Sequence, residues 1–222
     1  MKEHILYSFR RCPYAMRARW ALQICCIEME LREIDLKNKP LDLVQRSRSQ
    51  TVPLLILKNG ETIQESLDIV IWALNTSNPS KVNEFFGQKN RPAIMKIIEE
   101  NDNSFKFHLD RFKYSSRYDQ GKKYFHYKNC QKFINKWNEI LAKNSLQENW
   151  LVGQNESIAD WCIWPFVRQF KIACESQRIK DYFEKPIQEW LNYYIEHPSF
   201  SIVMHKYKTW NNTNIMVKFP VD

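Results

Sequence analysis

The first 76 residues alternate between strand-like and helix-like hydrophobic periods, and this alternation constrains the fold more than any other feature of the chain. The apolar run HILYSF predicts a strand, and the segment PYAMRARWALQICC that follows carries apolar side chains four residues apart, as on one face of a helix. A second strand (MELREIDL), a short helix from Pro40, a third strand (VPLLIL), a fourth (ETIQES) and a helix (SLDIVIWAL) follow in turn. The predicted order is therefore β-α-β-α-β-β-α.

The connections between these elements predict how the strands pair. The first two strands are joined through a helix, so they should be parallel. The pair Asn59-Gly60 is a strong signal for a tight hairpin turn, so the last two strands should be antiparallel. The N-terminal part of the chain is thus predicted to be an α/β domain with a mixed sheet of four strands.

The composition changes at NTSNPS, residues 75–80, where polar turn formers dominate and Pro79 interrupts any helix. Beyond this point almost every segment has a helical period, and SIADWCIWPFVRQFKIACES is apolar nearly all round, which predicts a buried helix. The fold class is therefore α/β plus all-α. We predict an α/β domain over residues 1–76, a linker over 77–88 and an all-helical domain over 89–222.

The net charge of +8 raises the question of a nucleic-acid partner. Residues 1–76 carry a net +2 and residues 77–222 a net +6, with acidic residues among the basic ones and no long basic run. Such a spread is typical of a mildly basic solvated surface, and we predict no nucleic-acid partner. The chain has only 4 glycines and lacks the Gly-rich phosphate-binding motifs.

No apolar run approaches the ~18 residues that a membrane-spanning helix needs, and the apolar stretch near the N-terminus is too short for a signal peptide. We therefore predict a cytoplasmic protein without a membrane partner. In that compartment cysteines stay reduced, and their spacing here forms no metal motif, so we expect free thiols and no metal. Apart from Cys12, we expect the cysteines to be small buried hydrophobic residues: 25, 26, 130, 162 and 174.

Cys12 stands between the first strand and the first helix, and Pro13 after it suits the first helical turn. A thiol at a helix N-terminus faces unpaired N–H groups and a partial positive charge, which favour the thiolate. Four nearby arginines could add to this charge, depending on the directions of their side chains: Arg10, Arg11, Arg17 and Arg19. Arg17 could equally face a carboxylate such as Asp68. The alternative is a cysteine that only packs in the core. The local sequence leaves both open.

The motif CPYA has Ala15 at the position of the second thiol in the redox motif CPYC. A mixed disulfide at Cys12 could then not be resolved by a neighbouring cysteine. An external thiol would have to do so, and glutathione is the abundant one.

The segment QTVPLL places Pro53 at the head of a buried strand. A cis Val52–Pro53 bond would turn the backbone N–H and C=O of Val52 outward, free to pair with the backbone of a peptide ligand. The alternative is an ordinary trans proline at a strand start.

The segment QES places Glu65 and Ser66 at the start of the last helix of the α/β domain. Ser66 could cap this helix, and the exposed N–H groups of its first turn could bind a carboxylate. Glu65 could accept a hydrogen bond from an ammonium group. Simple helix capping explains the same residues.

Together, the segments CPYA, TVP and QES resemble the glutathione transferase superfamily, in which a thioredoxin-like N-terminal domain precedes an all-helical domain. The cysteine in CPYA is most similar to the cysteine-type transferases, above all the omega class, and IDLKNKP (34–40) also resembles that class. The offsets of 27, 40 and 53 residues from Cys12 to Lys39, Val52 and Glu65 agree with it. The residues before Val52, RSRSQT, depart from the usual pattern.

The resemblance implies that Cys12 forms a mixed disulfide with glutathione and that Tyr14 lines the surroundings of the sulfur. It also implies a homodimer. In the helical domain, SIADWCIW matches the capping box of the family through Ser157 and Asp160, whose loss should harm folding rather than chemistry.

The resemblance further implies how glutathione is bound. Lys39 would contact the glycine carboxylate, and Val52, held by a cis Pro53, would pair its backbone with the cysteinyl unit. Glu65 and Ser66 would hold the γ-glutamyl end.

We therefore predict a glutathione S-transferase-like enzyme of the cysteine type, with glutathione as co-substrate. It would act as a thiol transferase or reductase through disulfide exchange at Cys12, on mixed disulfides or on a reducible acceptor such as dehydroascorbate. The alternative is a non-catalytic binding or interaction module, because a fold does not fix a function.

Overall fold

The computed structural model describes residues 3–144, 150–180, 182–211 and 216–220. The chain forms two compact units, Met1–Val82 with His197–Asp222, and Asn83–Glu196. The C-terminal segment is thus grouped with the first unit. The domain boundaries predicted at residues 76 and 88 remain predictions.

The helices of both units follow the chain in this order: α1 (Pro13–Ile24), α2 (Leu41–Arg46), α3 (Ser66–Ser77), α4 (Pro79–Phe86), α5 (Arg91–Glu99), α6 (Lys106–Lys113), α7 (Lys123–Asn144), α8 (Ile158–Ser176), α9 (Lys185–Glu196) and α10 (Pro198–Val203). A π-helical segment (Glu100–Phe105) connects α5 to α6, and two 3₁₀ turns (Ser115–Arg117 and Gln120–Lys122) connect α6 to α7. Among the described residues, no helix is long and apolar enough to cross a membrane.

The first unit contains a mixed sheet of five strands, β1 (Ile5–Ser8), β2 (Met29–Glu33), β3 (Leu54–Ile56), β4 (Thr62–Ile63) and β5 (Lys218–Phe219), in the order β4-β3-β1-β2-β5. The strands β1 and β2 are parallel, and the hairpin of β3 and β4 is antiparallel, as predicted. With helices packed on this sheet, the unit is thioredoxin-like.

The prediction of four strands is wrong, because β5 from the C-terminal segment extends the sheet beside β2. It pairs antiparallel, with Met29 opposite Phe219, and the N–H of Leu31 donates to the carbonyl of Val217 at 2.8 Å. A strand of two residues carries no readable period, so the sequence could not predict β5. Its pairing satisfies backbone groups of β2 that would otherwise be unpaired at the edge of the sheet.

The core of the sheet unit is built from alternate strand residues and from α2. The side chains of Ile5, Tyr7 and Leu54 are buried with Leu43 of α2. Partly buried Cys12 packs against the same cluster. The loop that carries the thiol therefore rests on a close-packed core.

The cysteines of the described chain are all free, as predicted. Cys25, Cys130, Cys162 and Cys174 are buried, but the prediction that Cys26 is buried is wrong, since its side chain is exposed. Cys26 follows the last turn of α1 with a φ of 53°, which turns the chain away from the helix.

In the second unit, α8 is buried along most of its length, as its apolar sequence predicts. The capping box is confirmed: the backbone N–H of Ser157 donates to Asp160, and the Ser157 side chain caps the helix. The buried carboxylate of Asp160 also accepts from the N–H of Leu151 at 2.9 Å and from Nε1 of Trp190 at 3.0 Å. It therefore joins the preceding loop and α9 to the start of α8.

Glu156 makes the stability of the second unit dependent on pH. Its carboxyl accepts from the hydroxyl of Tyr194 at 2.6 Å and from Nε1 of Trp161 at 2.7 Å. Burial, with a contribution from nearby Asp160, raises the pKa of Glu156 to about 7. The folded protein thus holds this proton more tightly than the unfolded chain, so the stabilisation is full below pH ~4.5 and is lost as the pH rises to about 7.

We expect Glu156→Gln to remove this pH dependence, since glutamine keeps an oxygen acceptor and does not ionise. The variant should exceed the wild type in free energy of unfolding at pH 8, by on the order of 2–3 kcal/mol, with the difference shrinking towards pH 5. Urea unfolding curves between pH 5 and 8 would measure it. Parallel pH profiles for the two proteins would contradict the assignment.

Candidate functional site

Cys12 lies at the N-cap position of α1, as the sequence predicts, with an extended backbone (φ −77°, ψ 122°). Its N–H donates to the carbonyl of Phe9 at 3.0 Å, and its own carbonyl accepts from the N–H of Met16 at 2.9 Å. The side chain is half-buried, between core and solvent. Its sulfur therefore lies at the positive end of the helix dipole, where negative charge is favoured.

The backbone of Val52 lies beside the sulfur. The carbonyl oxygen of Val52 is 3.7 Å from Sγ of Cys12, which is within hydrogen-bond distance for a thiol. The Val52–Pro53 bond is cis, so the trans alternative is wrong. The structure thus brings together two predicted site segments that are 40 residues apart in the sequence.

Ser66 is placed differently from the prediction. It is the first residue of α3, Glu65 occupies the N-cap position, and neither side chain caps the helix. The hydroxyl of Ser66 instead accepts from Nε of Arg17 at 2.9 Å, so Arg17 faces this serine. Both side chains are buried, and a buried guanidinium needs oxygen acceptors. The guanidinium also lies 5.0 Å from the ring centroid of Tyr14.

Arg17 therefore connects the first turns of α1 and α3. Because Arg17 contacts both Tyr14 and Ser66, the three residues form one contact network. Tyr14 and Arg17 follow Cys12 by two and five residues in the sequence. The carboxyl of Glu65 is exposed at the start of α3. This carboxylate can accept hydrogen bonds from an ammonium group of a ligand. The free N–H groups at the helix start beside it can bind a carboxylate of the same ligand.

Lys39 is exposed in the loop that precedes α2. In this loop the N–H of Asn38 donates to the carbonyl of Asp35 at 3.1 Å, which forms a tight turn. Among the contacts of the described residues, none joins the Lys39 side chain to Cys12 or Val52. Its ammonium is placed to meet an anion from solvent, and its role remains a prediction.

The unusual loop before Val52 forms a polar groove. The N–H of Arg48 donates to Oε1 of Gln64 at 3.0 Å, and Gln50 adopts a φ of 53°. The groove has a volume of about 740 Å³ and carries the cations of Arg46 and Arg48. This departure from the family pattern adds the positive charge of Arg48 four residues before Val52 of the cis bond.

Arg19 was expected only as one of several arginines that could add positive charge near Cys12, and its role as a buried hydrogen-bond donor was not predicted. It is 1% exposed, and its guanidinium donates to the carbonyls of Arg10 (2.8 Å) and Val203 (3.0 Å) and to the hydroxyl of Ser8. Burial lowers the pKa of Arg19 to about 10, while Glu33 and Cys12 act in the opposite direction, so the side chain stays cationic at neutral pH.

Arg19 holds the segment between β1 and Cys12 in place through its hydrogen bonds to Ser8 and Arg10. On the other side of this segment, the N–H of Arg10 donates to Oε1 of Glu33 at 2.7 Å. Because the electrostatic coupling of Arg19 and Cys12 is mutual, the cation also favours a thiolate. The available signal was a pair of arginines, Arg17 and Arg19, inside the mostly apolar sequence of α1.

The arrangement can support thiol–disulfide exchange. A half-buried sulfur lies at a helix N-terminus, and a backbone carbonyl lies beside it to align a second chain. The neighbouring Ala15 leaves no second thiol in the motif. Within the described ranges, no group of three or more His, Cys, Asp and Glu side chains is placed to hold a metal ion.

The fold and this site define a class of protein in which a thioredoxin-like unit, with its cysteine at the first helix, is followed by a helical unit. Residues 6–81 match the family model for the glutathione S-transferase N-terminal domain, and residues 105–200 match the model for the C-terminal domain. The chain therefore belongs to the glutathione S-transferase superfamily.

Sequence and structure comparisons give specific relatives. The chain is 28% identical over 198 residues to glutathione S-transferase omega-1 of Sus scrofa, covering 88% of this chain and 78% of that protein. Its fold is similar to that of a tau class glutathione S-transferase from mango, Mangifera indica (TM-score 0.74, 19% identity, 93% and 94% of the two chains). It is also similar to yeast Ure2p in complex with glutathione (TM-score 0.76, 16% identity, 91% and 94%).

Proposed function

We propose that this protein is a glutathione-dependent thiol transferase or reductase of the omega type, acting through a mixed disulfide at Cys12. The observation that supports it is the Cys12 sulfur at the start of α1, 3.7 Å from the backbone carbonyl of Val52. A nucleophile and a backbone that could align a thiol-bearing peptide are thus side by side.

In the first step, the Cys12 thiolate attacks the glutathionyl sulfur of a mixed disulfide. The acceptor leaves as its thiolate, which takes a proton from solvent, and a Cys12–glutathione disulfide remains. In the second step, the thiolate of a free glutathione attacks this disulfide. Glutathione disulfide leaves and the Cys12 thiolate is restored. With dehydroascorbate as the acceptor, the Cys12 thiol and one glutathione thiol would together transfer two electrons and two protons to it. The products would be ascorbic acid and the same Cys12–glutathione disulfide, and a second glutathione would then restore the Cys12 thiolate as above. This reaction would be that of an oxidoreductase.

Glutathione would lie along the segments that the structure brings near Cys12. The Val52 backbone, with Pro53 cis, would pair with the cysteinyl unit, and the start of α3 at Glu65 and Ser66 would hold the γ-glutamyl end. Because the Ser66 hydroxyl accepts from Arg17, we assign to this serine its backbone N–H as the donor to the ligand carboxylate. Lys39 would meet the glycine carboxylate, and Tyr14 would line the sulfur. We also propose a cytoplasmic homodimer.

Treatment with oxidised glutathione, followed by mass spectrometry, tests this proposal directly. We expect one glutathionyl adduct, on the peptide that contains Cys12. Cys26, which is more exposed than Cys12, provides the internal comparison. An adduct at Cys26 with none at Cys12 would contradict the proposed mechanism.

We expect Lys39→Gln to raise KM for glutathione about tenfold, with kcat little changed, because the lost contact lies far from the sulfur. The matched control is Lys37→Gln, which removes the same charge from the same exposed loop. Steady-state kinetics of both variants measure the effect. Equal values of KM in the two variants would show that Lys39 has no particular role.

The second candidate is an interaction module, favoured by the likeness to Ure2p, described as a nitrogen regulation fragment of a yeast prion protein. Retention on immobilised glutathione separates the two. A folded protein that is not retained and forms no adduct would be an interaction module.

A further inference from the structure

The positive charge of the chain is concentrated in one segment. Residues 106–136 contain nine Lys and Arg against two Asp, a net charge of +7, whereas the whole chain has a net charge of +8. Counted over residues 1–76 and 77–222, the net charges are +2 and +6, and this coarser count does not show the concentration. The second unit therefore carries its excess on α6, on the turns after it and on the first part of α7.

Most of these cations have no carboxylate partner within the described chain. Lys106 pairs with Asp110, Lys122 with Asp119 at 3.3 Å and Lys136 with Glu100 at 2.6 Å. The other six form no ion pair among the described residues: Arg111, Lys113, Arg117, Lys123, Lys128 and Lys132. Their positive electrostatic potentials add at the surface of α6, α7 and the turns between them, and they attract an anionic partner.

Exposed aromatic side chains lie between these cations. Phe107, Tyr118 and Phe125 are 45%, 52% and 57% exposed. The guanidinium of Arg111 lies 3.5 Å from the ring centroid of Phe107 and 4.8 Å from that of Tyr118. Arg117 lies 4.8 Å from the ring centroid of Tyr114. We call this surface the α6–α7 strip: Phe107, Arg111, Tyr114, Arg117, Tyr118, Phe125 and the exposed Lys128.

Two histidines that connect α6 to α7 support the side chains of the strip. Nδ1 of His108 on α6 lies 2.9 Å from Nδ1 of His126 on α7, so one ring donates its N–H to the other between the helices. The ring of Phe125 contacts both histidines, at centroid distances of 5.9 and 5.3 Å. A surface fixed in this way loses little side-chain freedom when a partner binds.

The composition of the strip favours a polypeptide partner over a nucleic acid. Arg, Tyr and Phe are the residues enriched at protein interfaces, and exposed aromatic residues beside cations supply both apolar area and charge. A single-stranded nucleic acid would need ring faces free for base stacking. Here Phe107 and Tyr118 already share one guanidinium, and Tyr114 contacts both Lys113 and Arg117.

We propose that the α6–α7 strip is a docking site for an acidic polypeptide segment that carries aromatic or apolar side chains. Carboxylates of the segment would meet the unpaired cations, and its apolar side chains would cover Phe107 and Phe125. The site is independent of Cys12, and it would recruit partners whether or not the protein exchanges disulfides with them.

A fluorescein-labelled 20-residue peptide of alternating Glu and Tyr serves as the probe, with fluorescence anisotropy as the readout. We expect Arg117→Gln/Lys128→Gln to weaken binding about tenfold, which corresponds to the loss of two partly exposed charge contacts. The control Lys96→Gln/Lys143→Gln removes two exposed cations outside the strip and should leave the affinity unchanged. Phe107→Ala should weaken binding with no change in net charge, and melting curves of all variants confirm that they fold.

Several outcomes would overturn the docking site. The first is that the peptide does not bind at a concentration of about 100 μM, which corresponds to a weak, transient interaction. The second is that the two double variants have equal effects on binding. The third is that an oligo(dT) or anionic vesicles bind more tightly than the peptide does. A lower oligomeric mass for Arg117→Gln/Lys128→Gln would identify a second copy of the chain as the occupant and overturn it too. Cys12→Ser should bind the peptide normally, so failure of the catalytic proposal and failure of the docking site are distinguishable.

Discussion

Cys12→Ser is expected to lower the rate of glutathione disulfide exchange by a factor on the order of a hundred or more. A serine hydroxyl is not ionised near neutral pH and cannot form a disulfide, so both steps of the exchange lose their nucleophile. The change of one atom leaves the N-cap position of α1 filled, and the fold should be unaffected. The binding of glutathione, measured separately, should persist.

The matched control is Cys26→Ser, which removes an exposed thiol just beyond the far end of α1. Its exchange rate should equal that of the wild type. Turnover of a glutathionylated peptide, followed by coupled reduction of glutathione disulfide, measures both variants. Equal turnover in Cys12→Ser and the wild type would refute the mechanism.

Arg19→Met is expected to destabilise the first unit by about 2–5 kcal/mol and to disturb the reactivity of Cys12. Methionine fills the volume of the stem, but the carbonyls of Arg10 and Val203 and the hydroxyl of Ser8 lose their donor in a buried place. The segment that leads into the helix N-terminus then loses its support, and the cation that favours the thiolate is gone.

Two measurements separate positioning from simple loss of stability. The free energy of unfolding measures how much the substitution destabilises the fold. The rate of Cys12 alkylation, measured as a function of pH, reports the fraction of Cys12 that is ionised to the thiolate. Because less thiolate should form near neutral pH, the alkylation profile should move to higher pH in folded Arg19→Met. The control Arg46→Gln removes a cation whose ion pair with Asp42 is exposed, which should cost less than 1 kcal/mol, about the value of a surface pair. If the alkylation profile of Arg19→Met were the same as that of the wild type, Arg19 would have a structural role and no effect on the Cys12 thiolate.

The elements that the sequence predicted correctly have strong local signals. Pro13 after Cys12 marks the start of α1, Asn59-Gly60 marks the β3–β4 hairpin, and Ser157 with Asp160 marks the start of α8. In each case the residues that carry the signal are within a few positions of the structure that they form. Side-chain periods and capping residues act at that range.

The site was predicted less completely, because its contacts join distant segments. Ser66 could have capped α3 by its sequence, but buried Arg17 needs an acceptor and takes the hydroxyl. Cys26 could have packed in the core, but the turn that ends α1 exposes it. Local patterns cannot decide between two satisfactory partners when one lies 49 residues away.

The amino-acid sequence by itself determined the alternation of strands and helices, the change to an all-helical second part, and the place of Cys12 at a helix start. Only the tertiary structure decided that the C-terminal segment adds a fifth strand, that Arg19 holds the segment before Cys12, and that most of the net charge forms one surface on α6 and α7. The physical reason is the range of the interactions. Periodicity and capping act between neighbours in the chain, whereas an unpaired strand edge, a buried cation and a surface field are satisfied only by groups that folding brings near.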